Sequence, residues 1–218
     1  MNEISQARII QQATEFVRCE LENESSGHDW YHIYRVTQSA KTIAIEEGAD
    51  LFVCELAALL HDIADAKLNV SEEVGLTRVN AWLDQHEVPT EASHHIMQII
   101  STMSYKGGGK PPMATLEGMV VQDADRLDAI GAMGIARVFA FSGSKGRKFH
   151  DPSVDPRMNM SEEEYRNGED TAINHFYEKL LKLKDLMNTN YGRKLALGRH
   201  QFMLDYLDRF YAEWDGKK

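Results

Sequence analysis

Three short clusters hold the residue types that bind cations or move protons. The first is the adjacent pair His61-Asp62, inside LFVCELAALLHDIADAK, Leu51 to Lys67. The second is GHDWYHIYRV, Gly27 to Val36, which carries His32. The third is VVQDADRLDAIGAMG, Val120 to Gly134, where Asp123, Asp125 and Asp128 interrupt an apolar helix. A buried carboxylate costs several kcal/mol unless it is paired or coordinates a cation. Asp62 therefore either sits at a helix end that has reached solvent or has a cation as partner. His32, on the stripe of Val36 and Ala40, is either a hydrogen-bonded core histidine or a ligand. Asp125 shares a face with Val121 and Ala132 and is expected to be buried. Two imidazoles and at least two carboxylates from three helices form a mixed N/O set. Such a set suits Mn, Fe, Ni, Co or Zn better than Ca.

The elements that must position these residues are helices, since no stretch alternates like a strand. Ile4 to Leu21 reads as the first. His28 to Glu47 is the second, with His32, Val36, Ala40, Ile43 and Ala44 inward and Gly48 at its end. Asp50 is the expected N-cap of the helix from Leu51 to Lys67. That helix is uncharged from Leu51 to Leu60 apart from Glu55, so it should be buried against several neighbours. Ser71 to His86 and Thr90 to Met103 follow. SYKGGGKPP, Ser104 to Pro112, is a loop by composition. Thr115 to Phe141 is helical, bent or interrupted near Gly131 and Gly134. The polar segment Gly143 to Asp170 lacks a period and is expected as a lid, with a capping box at Ser161 to Glu164. Helices over about residues 170–187 and 193–214 close the chain.

Bulk properties narrow the function. The chain has 218 residues, 43% apolar and 27% charged, which suits one large domain with a sizeable core. A net charge of −10 speaks against nucleic-acid or membrane surfaces as partners. Cys19 and Cys54 stand singly, as reduced thiols do. There is no signal-peptide pattern, and no run reaches the roughly 18 apolar residues of a membrane span. The expectation is a cytoplasmic protein.

In the order His32, His61-Asp62, Asp125 within ADRLDA, the chain resembles the HD-domain superfamily of metal-dependent phosphohydrolases. The resemblance covers about residues 27–134 and implies an all-α, single compact multi-helix domain over 1–218, with a C-terminal helical extension at about 170–214. It implies that His32, His61, Asp62 and Asp125 hold one divalent transition metal, Mn first among Fe, Ni, Co and Zn. Asp65 falls where the superfamily often has an acid that orients or deprotonates the attacking water. Spacing alone puts Asp65 on the helix face of His61 and Asp62, or leaves it as a helix-end residue.

The stretches HDWYHIYRV, LLHDIADAK and QDADRLDAIGAMGIAR look like a bacterial subgroup that hydrolyses nucleoside triphosphates to monophosphate and pyrophosphate. Relatives acting on guanosine tetraphosphate carry two consecutive acids where this chain has Ala64-Asp65, and Asn where it has Ala129. Arg35, Lys67, Lys106 and Lys110 are the cations placed to meet phosphate, with Lys145, Arg147 and Lys148 further off. The glycine loop lacks the GK[ST] ending of a P-loop. His28 and His32 have the spacing of a zinc protease, but residue 29 is Asp where that motif needs Glu. His94 and His95 are either ligands of a second metal or hydrogen-bonding residues. The other readings are a nucleoside monophosphate or phosphomonoester phosphatase, a di-iron oxygenase, and a nucleotide- or metal-sensing module without turnover.

Overall fold

The structure, a computed structural model, describes residues 1–22, 29–65, 68–103, 112–158 and 171–218. The fold is all-α, and the described residues contain no strand. Six helices come first: α1 (Glu3–Leu21), α2 (Trp30–Glu47), α3 (Leu51–Leu60), α4 (Glu72–Gln85), α5 (Thr90–Thr102) and α6 (Leu116–Asp128). A 3-10 turn, His61–Ala64, continues α3. Then come α7 (Gly131–Ser144), α8 (Ala172–Glu178), a second 3-10 turn (Leu180–Leu186) and α9 (Asn190–Trp214). The chain forms two compact units, Met1–Asp125 and Arg126–Lys218.

The first unit is built round α3. It packs against α1, α2 and α5, as a helix apolar all round must. Leu56, Leu59 and Leu60 are buried, and each such side chain contributes roughly 1.5–3 kcal/mol of transfer free energy. Its one charge, Glu55, is met by Lys41 of α2 at 2.8 Å. Side-chain caps set the starts. Asp29 accepts from the His32 N–H, Asp50 from the Val53 N–H and Ser71 from the Val74 N–H. Gly48 ends α2 and donates its N–H to the Ala44 carbonyl.

The helix expected to run to Lys67 instead stops being α-helical at Leu60. His61–Ala64 is a 3-10 turn, and Asp65 is already extended, with φ −63° and ψ 135°. Hydrophobic periodicity could not show this, because four residues of tighter winding leave an apolar run looking the same. The turn packs against α4 and α5.

In the second unit α7 packs against α8 and α9. Half-buried Phe139 and Tyr206 pack on the buried Phe176, which is stacked on Tyr206 at 5.8 Å. Glu178 is buried and accepts from the Arg157 backbone N–H and guanidinium at 2.9–3.0 Å. Those bonds are what make a buried carboxylate tolerable. The break between α6 and α7 falls at Gly131, whose φ of +72° only glycine adopts without strain. The expected helix over 170–187 is α-helical only to Glu178 and then tightens into the second 3-10 turn.

Lys67, Lys106, Lys110, the glycine loop and the Ser161 to Glu164 box lie outside the described residues. No described helix is long and apolar enough to cross a membrane.

Candidate metal centre

His32 is the third residue of α2, and the Asp29 cap takes its N–H at 2.8 Å. That cap starts the helix one turn before the position that must face inward, and the His32 side chain is 1% exposed. His61 and Asp62 open the 3-10 turn and are both buried. Asp125 lies in the last turn of α6. His32 Nε2 is 3.4 Å from Asp62 Oδ2 and 3.6 Å from Asp125 Oδ1. His61 Nε2 is 3.2 Å from Asp62 Oδ1. Ligand-type atoms of His32, His61 and Asp62 all lie within 4.8 Å of one another. Atoms bonded to one ion at about 2.1 Å stand about 3.0 Å apart in octahedral geometry and about 3.4 Å apart in tetrahedral geometry. The 3.2 and 3.4 Å spacings fall within that range, and the 3.6 Å to Asp125 is slightly longer.

The tautomer of His61 carries the chemistry further. Its Nδ1 is 2.8 Å from the Ala58 carbonyl oxygen. A carbonyl can only accept, so Nδ1 holds the proton and Nε2 carries the lone pair. That buried Nε2 makes no hydrogen bond among the described residues. It faces Asp62 Oδ1, another acceptor, at 3.2 Å. Two lone pairs held this close out of water need a cation, a proton or a metal, to share. The proton version shows in the acidity of His61. Burial opposes its charged form, but Asp62, Asp125, the Ala58 carbonyl and Asp65 together outweigh burial and raise its pKa. A back-bonded histidine with one free lone pair is also how proteins orient metal-binding imidazoles. The donor set fits a divalent transition metal.

The remaining expected residues fall as follows. Asp125 is not buried: its side chain is 39% exposed, while Asp123 and Asp128 are the enclosed ones. Sharing a helical stripe with Val121 fixed its direction, not its depth, and it stands on the rim of the cluster. Asp128 accepts from Arg137 at 2.7 Å, an ion pair of the second unit. Asp65 is half-buried and close enough to His61 to raise its pKa. Arg35 is half-buried, one helical turn beyond His32. His95 Nε2 is 2.8 Å from the Thr115 hydroxyl, which also accepts the Gly118 N–H at the start of α6. His32, His61 and Asp62 make the one such metal-capable group among the described residues, and it includes neither His94 nor His95.

Lys148 is engaged by Asp151 at 2.7 Å, and Lys145 and Arg147 lie near the Phe141 ring. Cys54 is a buried free thiol whose pKa is pushed up by burial, then by Glu117 and Asp50. Sequence reasoning missed Asn69, Gly75 and Arg78, which surround the 3-10 turn. The available signal was Gly75, a glycine inside a helical pattern, where a packing reason is the usual explanation.

The HD domain family model matches residues 29–130. Over 210 residues the chain is 42% identical to YpgQ of Bacillus subtilis, covering 95% of this chain and 93% of that one. An HD-superfamily hydrolase from Bacillus thuringiensis has a similar structure, with 46% identity and a TM-score of 0.78 over 96% of this chain and 98% of that one. Bacillus subtilis YpgQ in complex with ADP has 39% identity and a TM-score of 0.77 over 96% and 100%. The chain belongs to the HD-domain superfamily. Its all-helical fold is that of HD-superfamily hydrolases.

Proposed function

We propose that this hydrolase is a metal-dependent phosphohydrolase that converts (deoxy)nucleoside triphosphates to monophosphate and pyrophosphate. His32, His61, Asp62 and Asp125 hold one divalent cation, with Mn the first choice. The observation that carries the metal reading is the lone pair of His61 Nε2 set against Asp62 Oδ1 at 3.2 Å. A divalent ion bound there supplies Lewis acidity, which polarises a phosphoryl oxygen and acidifies nearby water. The nucleotide reading draws on the resemblance of the three clusters to the pyrophosphohydrolase subgroup. It draws also on the ADP held by YpgQ.

In the reaction, a water oxygen bonds to the α-phosphorus. The bond from that phosphorus to the bridging oxygen breaks, and its electron pair leaves with pyrophosphate. Asp65 takes the water proton. Arg35, half-buried and one turn from His32, meets charge on the phosphate oxygens, as do Lys67, Lys106 and Lys110 in this reading.

The test is incubation with Mn and a panel of nucleotides, scored for pyrophosphate against orthophosphate. Pyrophosphate in equal amount to monophosphate is expected. Orthophosphate from monophosphates would establish the phosphatase reading. Tight binding with no product would establish the sensing module, which an ADP complex also favours.

A further inference from the structure

The turn that presents His61, Asp62 and Asp65 is clamped from outside. Asn69 Nδ2 donates to two carbonyls, Ile63 O at 2.8 Å and Asp65 O at 2.9 Å. Its Oδ1 accepts from Arg78 Nη1 at 3.1 Å, and Arg78 Nη2 donates to Glu20 at 2.8 Å. Carbonyls only accept and a guanidinium only donates, so the amide has one possible orientation. Between those two carbonyls in sequence lies that of Ala64, which sits close against Gly75 of α4. A Cβ on residue 75 would stand 2.6 Å from Ala64 O and 2.7 Å from Ala64 Cα, so glycine is what lets α4 come this near. The carbonyls of residues 63 and 65 are thus bonded by one amide, and that of residue 64 lies against α4.

An ordinary helix end leaves its last carbonyls to water or to a glycine cap. This one uses a side chain braced by α4 and, through Glu20, by α1. The Arg78–Glu20 pair is half-exposed and adds little stability by itself. What it does is hold Arg78 where the Asn69 oxygen needs it.

We propose that Asn69 is a positioning residue, which with Arg78 pins the backbone at Ile63 and Asp65 and so aims Asp65 at the site. The positioning of a catalytic base rests on the function proposed above; the clamp on the turn of His61 and Asp62 does not.

The experiment is Asn69→Ala in the full chain, read in three ways. Exchange of the Asp65 and Leu68 amides, which bond to Asp62 O and Asp65 O, should quicken about tenfold while the interior of α5 is unchanged. Mn affinity, by titration, should weaken about tenfold, the low end for groups that support ligands at one remove. At saturating Mn, kcat for nucleotide hydrolysis should fall about 10- to 100-fold with KM nearly unchanged. The same substitution in an Asp65→Asn background should cost nothing more, because no base remains to be misplaced.

Unchanged exchange at Asp65 and Leu68, or an equal kcat loss in both backgrounds, overturns the proposal. If Asn69→Ala does not fold, Arg78→Met keeps both amide donors and should show the same pattern at smaller size. If the wild type turns over no nucleotide, the function reading has failed, and exchange at Asp65 and Leu68 still decides the clamp.

Discussion

A carboxylate that binds a cation and one that takes a proton lose different things when replaced by their amides. Asp62 is buried with both oxygens turned toward imidazole nitrogens, Oδ1 to His61 and Oδ2 to His32. Asp65 is half-buried and acts on His61 through its field. Asp65→Asn should therefore keep the metal and bind nucleotide with near-normal KM. Its kcat should fall roughly 10²- to 10⁴-fold, the usual contribution of a general base. Steady-state kinetics with metal analysis on the same sample reads both. Loss of metal would place Asp65 among the ligands, and activity within a fewfold would leave it a helix-end residue. The raised pKa of His61 adds that protons compete with the ion for Nε2, because the same three carboxylates attract either.

At the scale of elements, the close approach of α4 to the 3-10 turn sets two effects against each other at Gly75. Alanine in a helix interior is favoured over glycine by about 1 kcal/mol. Overpacking a tight contact costs typically 1–3 kcal/mol. The atoms in the way are Ala64 O and Cα, at 2.6 and 2.7 Å, and Asn69 Nδ2, at 2.7 Å; the two backbone atoms cannot turn aside, and the amide is held by its own hydrogen bonds. Gly75→Ala should thus be destabilising by about 1 kcal/mol net. Urea unfolding measures it, and a stabilised variant would show that the turn can move.

Local chemistry is legible in a sequence where packing between distant elements is not. The start of α3 at Asp50 and the end of α2 at Gly48 were legible because caps are local chemistry. The inward face of His32 was legible because it shares a stripe with Val36 and Ala40. The 3-10 winding of His61–Ala64 was not, since tighter winding over four residues leaves the apolar run looking the same, and the glycine that admits α4 against it lies many residues later. Neither was the depth of Asp125. Its helical face follows from periodicity, but whether a residue on that face is enclosed, like Asp123, or on the rim depends on the neighbouring helices.

At the scale of the molecule, the four proposed ligands come from three places far apart in sequence: α2, the turn after α3, and the end of α6. An ion binding them ties these segments in the native state and has no such site in the unfolded chain. Its binding free energy therefore adds to stability, by about 2.7 kcal/mol at a free concentration a hundred times Kd. For a chain of this length each kcal/mol raises the melting temperature about 2–4 °C, so a shift of about 5–11 °C is expected with Mn. All four ligands belong to the unit Met1–Asp125. Should the two units melt separately, that one alone should respond. Asp62→Asn should abolish the shift while leaving the melting temperature of the other transition where it was. Scanning calorimetry with and without Mn distinguishes the outcomes. A shift that survives in Asp62→Asn would mean that the ion binds elsewhere, and the ligand assignment would fall with it.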